Sequence, residues 1–257
     1  MLVLLSCAKT MSAVSKVKVP LTTSPRFQKE AAEIALQMSQ FSVDELERLL
    51  RVNAKIAVEN YKRYQAFHAE ATPELPALLA YTGIVFKRLN PKDFSVEDFE
   101  YAQEHLRLTS FCYGLLRPLD VIRSCRLEGD VVLPELGNQT MFSYWQSRLT
   151  DVFIEDIKKA GGILCNLASD EMKSLFDWKR VEKEVRVITP EFQVWKNGKL
   201  ASIVIYIKMS RGEMTRFILK NRIENPEDLK SFSWEGFEFN ESLSNEKKFV
   251  FTNGKEI

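Results

Sequence analysis

Apolar positions in the first half of the chain recur at helical spacing. Phe27, Ala31, Ile34, Ala35 and Met38 follow Ser24 and Pro25, a cap and a first-turn proline, which predicts a helix over 25–39. Ser42-Val-Asp-Glu45 is a capping box ahead of Leu46, Leu49, Leu50, Ile56, Ala57 and Tyr61, so a second, longer helix is expected there. Ser95-Val-Glu-Asp98 repeats the start signal, and Phe99, Ala102, Leu106 and Thr109 share a face until Gly114 and Pro118 interrupt it. Phe142, Trp145, Leu149, Val152, Phe153 and Ile157 mark a further helix stopping at Gly161-Gly162.

The second half changes period. The runs 163–167, 185–188, 192–195 and 200–207 are β-branched or alternating and read as strands. Asn197-Gly198 predicts a hairpin turn, because both residues tolerate positive φ. Met214, Phe217, Ile218 and Asn221 suggest a helix over 212–223, and the runs 234–239 and 249–251 look like closing strands. The mixture predicts an α+β fold. With no repeat, low-complexity tract or linker-like break, one domain over 1–257 is the simplest organisation.

Composition narrows the class further. Of 257 residues, 45% are hydrophobic, and 36 Lys+Arg nearly balance 35 Asp+Glu, so disordered, collagenous and coiled-coil chains are excluded. The net charge of +1 supplies no whole-molecule attraction to polyanions; nucleic-acid binding would need basic residues gathered on one surface. The apolar run after Met1 is too short for a signal-peptide core, and no stretch approaches the roughly 20 apolar residues of a membrane helix. Cys7, Cys112, Cys125 and Cys165 lack C-x-x-C spacing, and His68 and His105 lie far apart, so neither a metal site nor a disulfide framework is expected and a cytoplasmic location fits.

Four segments could carry chemistry. Ser6-Cys-Ala-Lys-Thr10 follows a short apolar run, where Lys9 and Thr10 could meet an anion, although the glycines of a Walker loop are missing. The stretch 106–122 reads as helix, glycine-containing hairpin and Pro-initiated helix, a shape whose N–H groups can hold a DNA phosphate, with Arg117, Arg123 and Arg126 nearby. A plain helical corner accounts for the same pattern. Asn166-Leu-Ala-Ser-Asp-Glu171 follows a strand; Asp170 and Glu171 could act as acid and base if burial splits their pKa values, or simply cap a helix. In the 211–222 segment Arg211 and Gly212 sit at the expected helix start and Arg216, Lys220 and Arg222 fall near one side of it, either as phosphate contacts or as a solvated stripe. Smaller features read blandly: His105 as a packed or surface side chain, the aromatics as core, Arg126 with Glu128 as an ion pair. Cys7 beside Lys9 could have a lowered thiol pKa, or be inert.

The order of Ser6-Cys-Ala-Lys-Thr10, Leu115-Leu-Arg-Pro-Leu-Asp120 with Arg126-Leu-Glu128, Asn166-Leu-Ala-Ser-Asp-Glu171, and Arg211-Gly with Arg216-Phe-Ile218 resembles the YaaA family, also called DUF328 or UPF0246 peroxide stress proteins. The resemblance runs from Met1 to about Phe251. It implies a cytoplasmic bacterial protein that aids survival of hydrogen peroxide by limiting free iron. It also implies a single-domain fold with a basic cleft, a helix-hairpin-helix element and affinity for DNA, including irregular duplexes. Three positions depart from the family pattern: Cys7 stands where relatives carry Pro, Ile84 where they carry an acidic residue, and Phe111 where they tend to have Gly.

The leading expectation is a monomeric peroxide-stress protein that binds DNA without reading bases, with Lys9, Thr10, Arg117, Arg123, Arg126, Arg211, Arg216 and Lys220 at phosphates and no cofactor or metal. The rival is an enzyme acting on a nucleobase or nucleotide, with Asp170 or Glu171 as acid or base and Lys9 gripping an oxyanion. Direct iron sequestration is a third, poorer expectation, because two histidines and scattered cysteines make a weak transition-metal site.

Overall fold

A computed structural model describes residues 1–254. Its backbone is an eight-stranded mixed sheet ordered Phe237–Phe239, Lys248–Asn253, Arg186–Lys196, Ile163–Asn166, Leu2–Leu5, Leu106–Ser110, Gly114–Leu116, with Lys199–Ala201 pairing on Arg186–Lys196. The strand Leu2–Leu5 lies at the centre, parallel to Leu106–Ser110 on one side and to Ile163–Asn166 on the other. All four of its residues are buried, which is why they form an uninterrupted apolar run rather than an alternating one. Its register sets Val3 opposite both Leu106 and Cys165, so three adjacent parallel strands end at the same edge of the sheet.

Helices Val96–His105, Met141–Lys159 and Val204–Asn221 pack on this sheet. Two of the expected starts are present, Ser42 and Ser95 both forming complete capping boxes, and the helix ending at Lys159 leads to Gly161 and Gly162, both at positive φ. The first helix, by contrast, begins at Gln28 after Phe27 with no side-chain cap, so Ser24 and Pro25 lie before it. Asn197 and Gly198, at φ 55° and 72°, turn the predicted hairpin. The fold is α+β, as the sequence indicated.

Three expectations are corrected. The long helix after Ser42 is two helices, Val43–Leu50 and Ala54–Ala66, separated by left-handed Arg51 and recapped by the Asn53 side chain on the Ile56 N–H. The 200–207 run is a strand only to Ala201; a helix begins at Val204, eight residues before Gly212.

The helix-hairpin-helix is a β-hairpin: the helix stops at His105, and Leu106–Ser110 becomes a strand paired antiparallel to Gly114–Leu116. Pairing with Leu2–Leu5 gives the backbone of 106–108 its partners, and all five side chains of Leu106–Ser110 are buried, so tertiary burial overrides the helical period. At the turn, Gly114 has φ 70°, and a Cβ there would meet the Trp145 ring at 2.7 Å.

Candidate functional site: a pocket at the ends of three parallel strands

Where the three strands end, Ser6–Thr10, Ser110–Cys112 and Leu167–Met172 approach one another around a cavity of about 440 Å³. This is the carboxyl edge of a parallel sheet, where chain leaving adjacent strands opens a crevice that ligands commonly use. The Ser6 hydroxyl accepts the Ser169 N–H at 2.8 Å, and the two serine hydroxyls lie 3.2 Å apart, tying the first strand's exit to the Asn166–Glu171 segment. Thr82 donates its N–H to the Thr10 carbonyl at 3.0 Å, and a Cβ on Gly83 would stand 2.9 Å from the Ala8 Cβ. Gly83 therefore lets the segment before helix Ile84–Leu89 close against the Ser6–Thr10 loop.

Four cationic side chains, Lys9, Arg126, Lys208 and Arg211, line the cavity with two carboxylates, Glu128 and Glu171. Glu128 bridges two of the cations. Its Oε2 accepts from Lys9 Nζ at 2.8 Å and its Oε1 from Arg126 Nε at 3.2 Å and a terminal guanidinium nitrogen at 3.1 Å. The Tyr64 hydroxyl, deep in the core, donates to the Arg126 carbonyl and holds the irregular 124–128 segment from behind.

Arg211 differs from its neighbours. Its Nε is buried with no hydrogen-bond partner among the described residues, and burial lowers its pKa from the usual guanidinium value, opposed by the charge of Asp170. Gly212 explains how it got there. A Cβ at that position would overlap the Val85 carbonyl oxygen and come within 2.8 Å of the Arg88 Cβ, so only glycine lets helix Val204–Asn221 press onto helix Ile84–Leu89 and set Arg211 against the cavity. The glycine is a mid-helix contact rather than the helix start that spacing suggested.

The structure thus brings together Lys9, Thr10, Arg126, Arg211 and Glu171. The other candidates lie elsewhere, each on an internal partner. Arg117 binds Asp120 Oδ1 at 2.9 Å, and Arg123 binds Glu74 at 2.8 Å and the Phe67 carbonyl. Arg216 grips both carboxylate oxygens of Asp93, at 2.8 and 2.5 Å, while Lys220 bonds Asp98 at 2.6 Å. Asp170 points outward, its side chain 91% exposed, and bonds Lys173 at 2.8 Å. That bond, with the nearby charges of Lys173 and Arg211, holds its carboxyl below the usual range, so it stays ionised at neutral pH.

Two cysteine expectations change. Cys7 lies in the pocket wall, but burial and the charges of Glu128 and Glu171 push its thiol up to about 12, so it is a neutral thiol despite Lys9. Cys112 and Cys125, expected to be unpaired, are joined by a disulfide across the pocket wall, their Cα atoms 6.9 Å apart. Their separation of 13 in sequence carried no spacing signal. Lys208 was missed because it fell between the run 200–207, read as strand, and the helix expected over 212–223, although its i, i+3 spacing to Arg211 was the available helical clue. Among the described residues no group of three or more His, Cys, Asp or Glu is placed to hold a metal ion.

Residues 1–243 match the family described as peroxide stress protein YaaA. The chain belongs to that family. Similar proteins include a UPF0246 protein of Bacteroides thetaiotaomicron, 90% identical over 254 residues and covering 99% of both chains. A UPF0246 protein of Phocaeicola vulgatus is 63% identical over 252 residues, covering 98% of this chain and 99% of its own. One from Crocosphaera subtropica is still 36% identical over 252 residues, with the same coverage. No helix of the described residues is long and apolar enough to cross a membrane.

Proposed function

We propose that this family member acts in the cytoplasm during peroxide stress by binding DNA, with the strand-end pocket seating one phosphate-bearing unit of an irregular duplex. One observation carries the reading: Arg211, whose Nε is buried with no hydrogen-bond partner among the described residues, lines a cavity that also gathers Lys9, Arg126 and Lys208. A buried donor without an acceptor is costly unless a ligand supplies one, and an anionic oxygen is the strongest acceptor available. A cavity of about 440 Å³ suits a nucleotide displaced from the helix better than the side of a regular duplex. Contacts of this kind are to phosphate, so affinity rather than base identity is expected from them. The lowered pool of free iron implied by family membership is proposed as a downstream consequence of that binding.

The test is fluorescence anisotropy with a duplex carrying unpaired nucleotides, across a salt series. Affinity is expected to fall with salt, by about 0.9 in the logarithmic slope for each phosphate neutralised, and Arg211→Gln is expected to reduce the slope by about 1. Salt-insensitive binding, or no binding, would remove the reading.

A second reading is an enzyme acting on a nucleotide or nucleobase, favoured by Glu171 lining the same cavity as Arg211. Asp170, exposed and held ionised, is the weaker acid–base candidate. Glu171→Gln would then abolish turnover while leaving affinity intact, and loss of both together would count against a catalytic role.

A further inference from the structure

The cysteine pair lies in the pocket wall between two segments of unlike rigidity. Cys112 occupies the turn of the β-hairpin, which is anchored independently of its sulfur. Trp145 Nε1 donates to the Phe111 carbonyl at 2.8 Å, the Ser110 hydroxyl accepts the N–H groups of Cys112 and Tyr113 at 3.3 and 3.1 Å, and the Tyr113 hydroxyl accepts the Arg123 N–H at 2.9 Å. Cys125 lies in the 124–128 stretch, which belongs to no helix or strand and carries Arg126 and Glu128. The hairpin keeps its place without the bond. The 124–128 stretch, with few backbone partners of its own, depends on the bond and on the Tyr64 hydroxyl.

We propose that Cys112 and Cys125 form a reversible dithiol–disulfide site, closed by a hydroperoxide entering through the pocket, whose state fixes or frees Arg126 and Glu128. Cys125 is the more exposed of the two, at 9% against 2%, and lines the pocket on the irregular 124–128 stretch; it is the attacking sulfur. In the first step a sulfur–oxygen bond forms as the peroxide O–O bond breaks, and the leaving oxygen departs as water or alcohol with the thiol proton. In the second, the Cys112 sulfur attacks the sulfenic sulfur; the S–S bond forms, the S–O bond breaks, and the hydroxyl leaves with the second thiol proton as water. The two sulfurs together lose two electrons, which the peroxide accepts, and a dithiol reductant returns them with two protons.

The cavity, at about 440 Å³, is many times the roughly 30 Å³ that a water molecule occupies, so a small hydroperoxide has room beside the pair. Cys7 shares the cavity and Cys165 is buried within the strand Ile163–Asn166, but burial pushes both thiols up to about 12, so neither competes for the oxidant. Glu128 transmits the effect: because it holds both Arg126 and Lys9, a freed 124–128 stretch loosens two of the four cavity cations.

The full-length chain is reduced, freed of reductant and treated with equimolar hydrogen peroxide, and its thiols are mapped by alkylation and peptide mass analysis. A Cys112–Cys125 link is expected to return while Cys7 and Cys165 stay open to alkylation after denaturation. Amide exchange in 124–128 is expected to be about tenfold faster in the reduced protein than in the oxidised one. The Cys125→Ser variant should show the faster exchange with or without peroxide, with Cys112 remaining a thiol. Failure of the link to return, oxidation of Cys7 first, a peroxide response persisting in Cys125→Ser, or unfolding of the reduced protein by circular dichroism would each overturn the proposal, the last by making the bond a fixed staple. None of these readouts involves DNA, so the result is separate from the DNA-binding reading.

Discussion

Helix Val204–Asn221 carries its basic residues into two different settings. Near its middle, Arg211 faces the strand-end cavity with Nε unpartnered. Toward its end, Arg216, Lys220 and Arg222 are matched to acids: Arg216 to Asp93, and both Lys220 and Arg222 to Asp98 at 2.6 and 2.8 Å. A single basic stripe in the sequence thus divides into a place that lacks an anion and a place that already has two. Cations satisfied within the fold clamp it together, whereas a buried cation without an internal acceptor is the one that a ligand can complete.

The largest expected effect tests how the two settings are held on one helix. Gly212→Val inserts a side chain where the Val85 carbonyl and Arg88 Cβ already stand, so urea unfolding should show a loss of about 2–3 kcal/mol, with Arg211 displaced from the cavity. A neutral result would mean that the close approach of the two helices is not required.

Next is the clamp. Burial alone would raise the Asp98 carboxyl, but hydrogen bonds from Lys220, the Ser95 backbone and Arg222 hold it down to about 2 from the ordinary 3.8. A carboxyl depressed in the folded state contributes stability that is complete above its ordinary value and is lost as pH falls toward the depressed one. Unfolding free energy should therefore decline between about pH 4 and pH 2, and Asp98→Asn should flatten that decline while costing about 1–3 kcal/mol at neutral pH. Unchanged pH dependence in the variant would assign acid lability elsewhere.

Arg211→Gln should do the opposite of Asp98→Asn. Stability should move by less than about 0.5 kcal/mol, while affinity for a phosphate-bearing probe falls about tenfold. If it destabilises as strongly as the clamp variant, the distinction between the two settings fails. The smallest effect is expected from Lys208→Gln: Lys208 is exposed on the rim of the same cavity, and a screened contact there should change affinity by threefold or less at about 0.15 M salt.

Local chemistry made much of the fold legible. Ser42 and Ser95 cap because a short side-chain acceptor followed three residues later by an acid satisfies two backbone donors, whatever surrounds it. Asn197-Gly198 turns for an equally local reason. The failures lie where a neighbour decided. Leu106–Ser110 continues the apolar helical face of Phe99 and Ala102, yet it is a strand, because Leu2–Leu5 offers it backbone partners and burial on both sides. The β-branched run after Ile203 is helical, because it belongs to the helix that Gly212 docks onto Ile84–Leu89.

The candidate site divides along the same line. Lys9, Arg126, Glu171 and Arg211 could be named as chemically capable from residue type and order along the chain, and that order also carried the family. The sequence could not separate them from Arg117, Arg123, Arg216 and Lys220, because the same charged groups serve both purposes. Placement decided it: which cations line the cavity, and which are carried to a partner elsewhere, such as Arg216 to Asp93, 123 residues away, is set only when distant segments pack. The convergence of three strand ends on one cavity has that origin too, since parallel strands are joined through long crossovers whose endpoints no local pattern specifies.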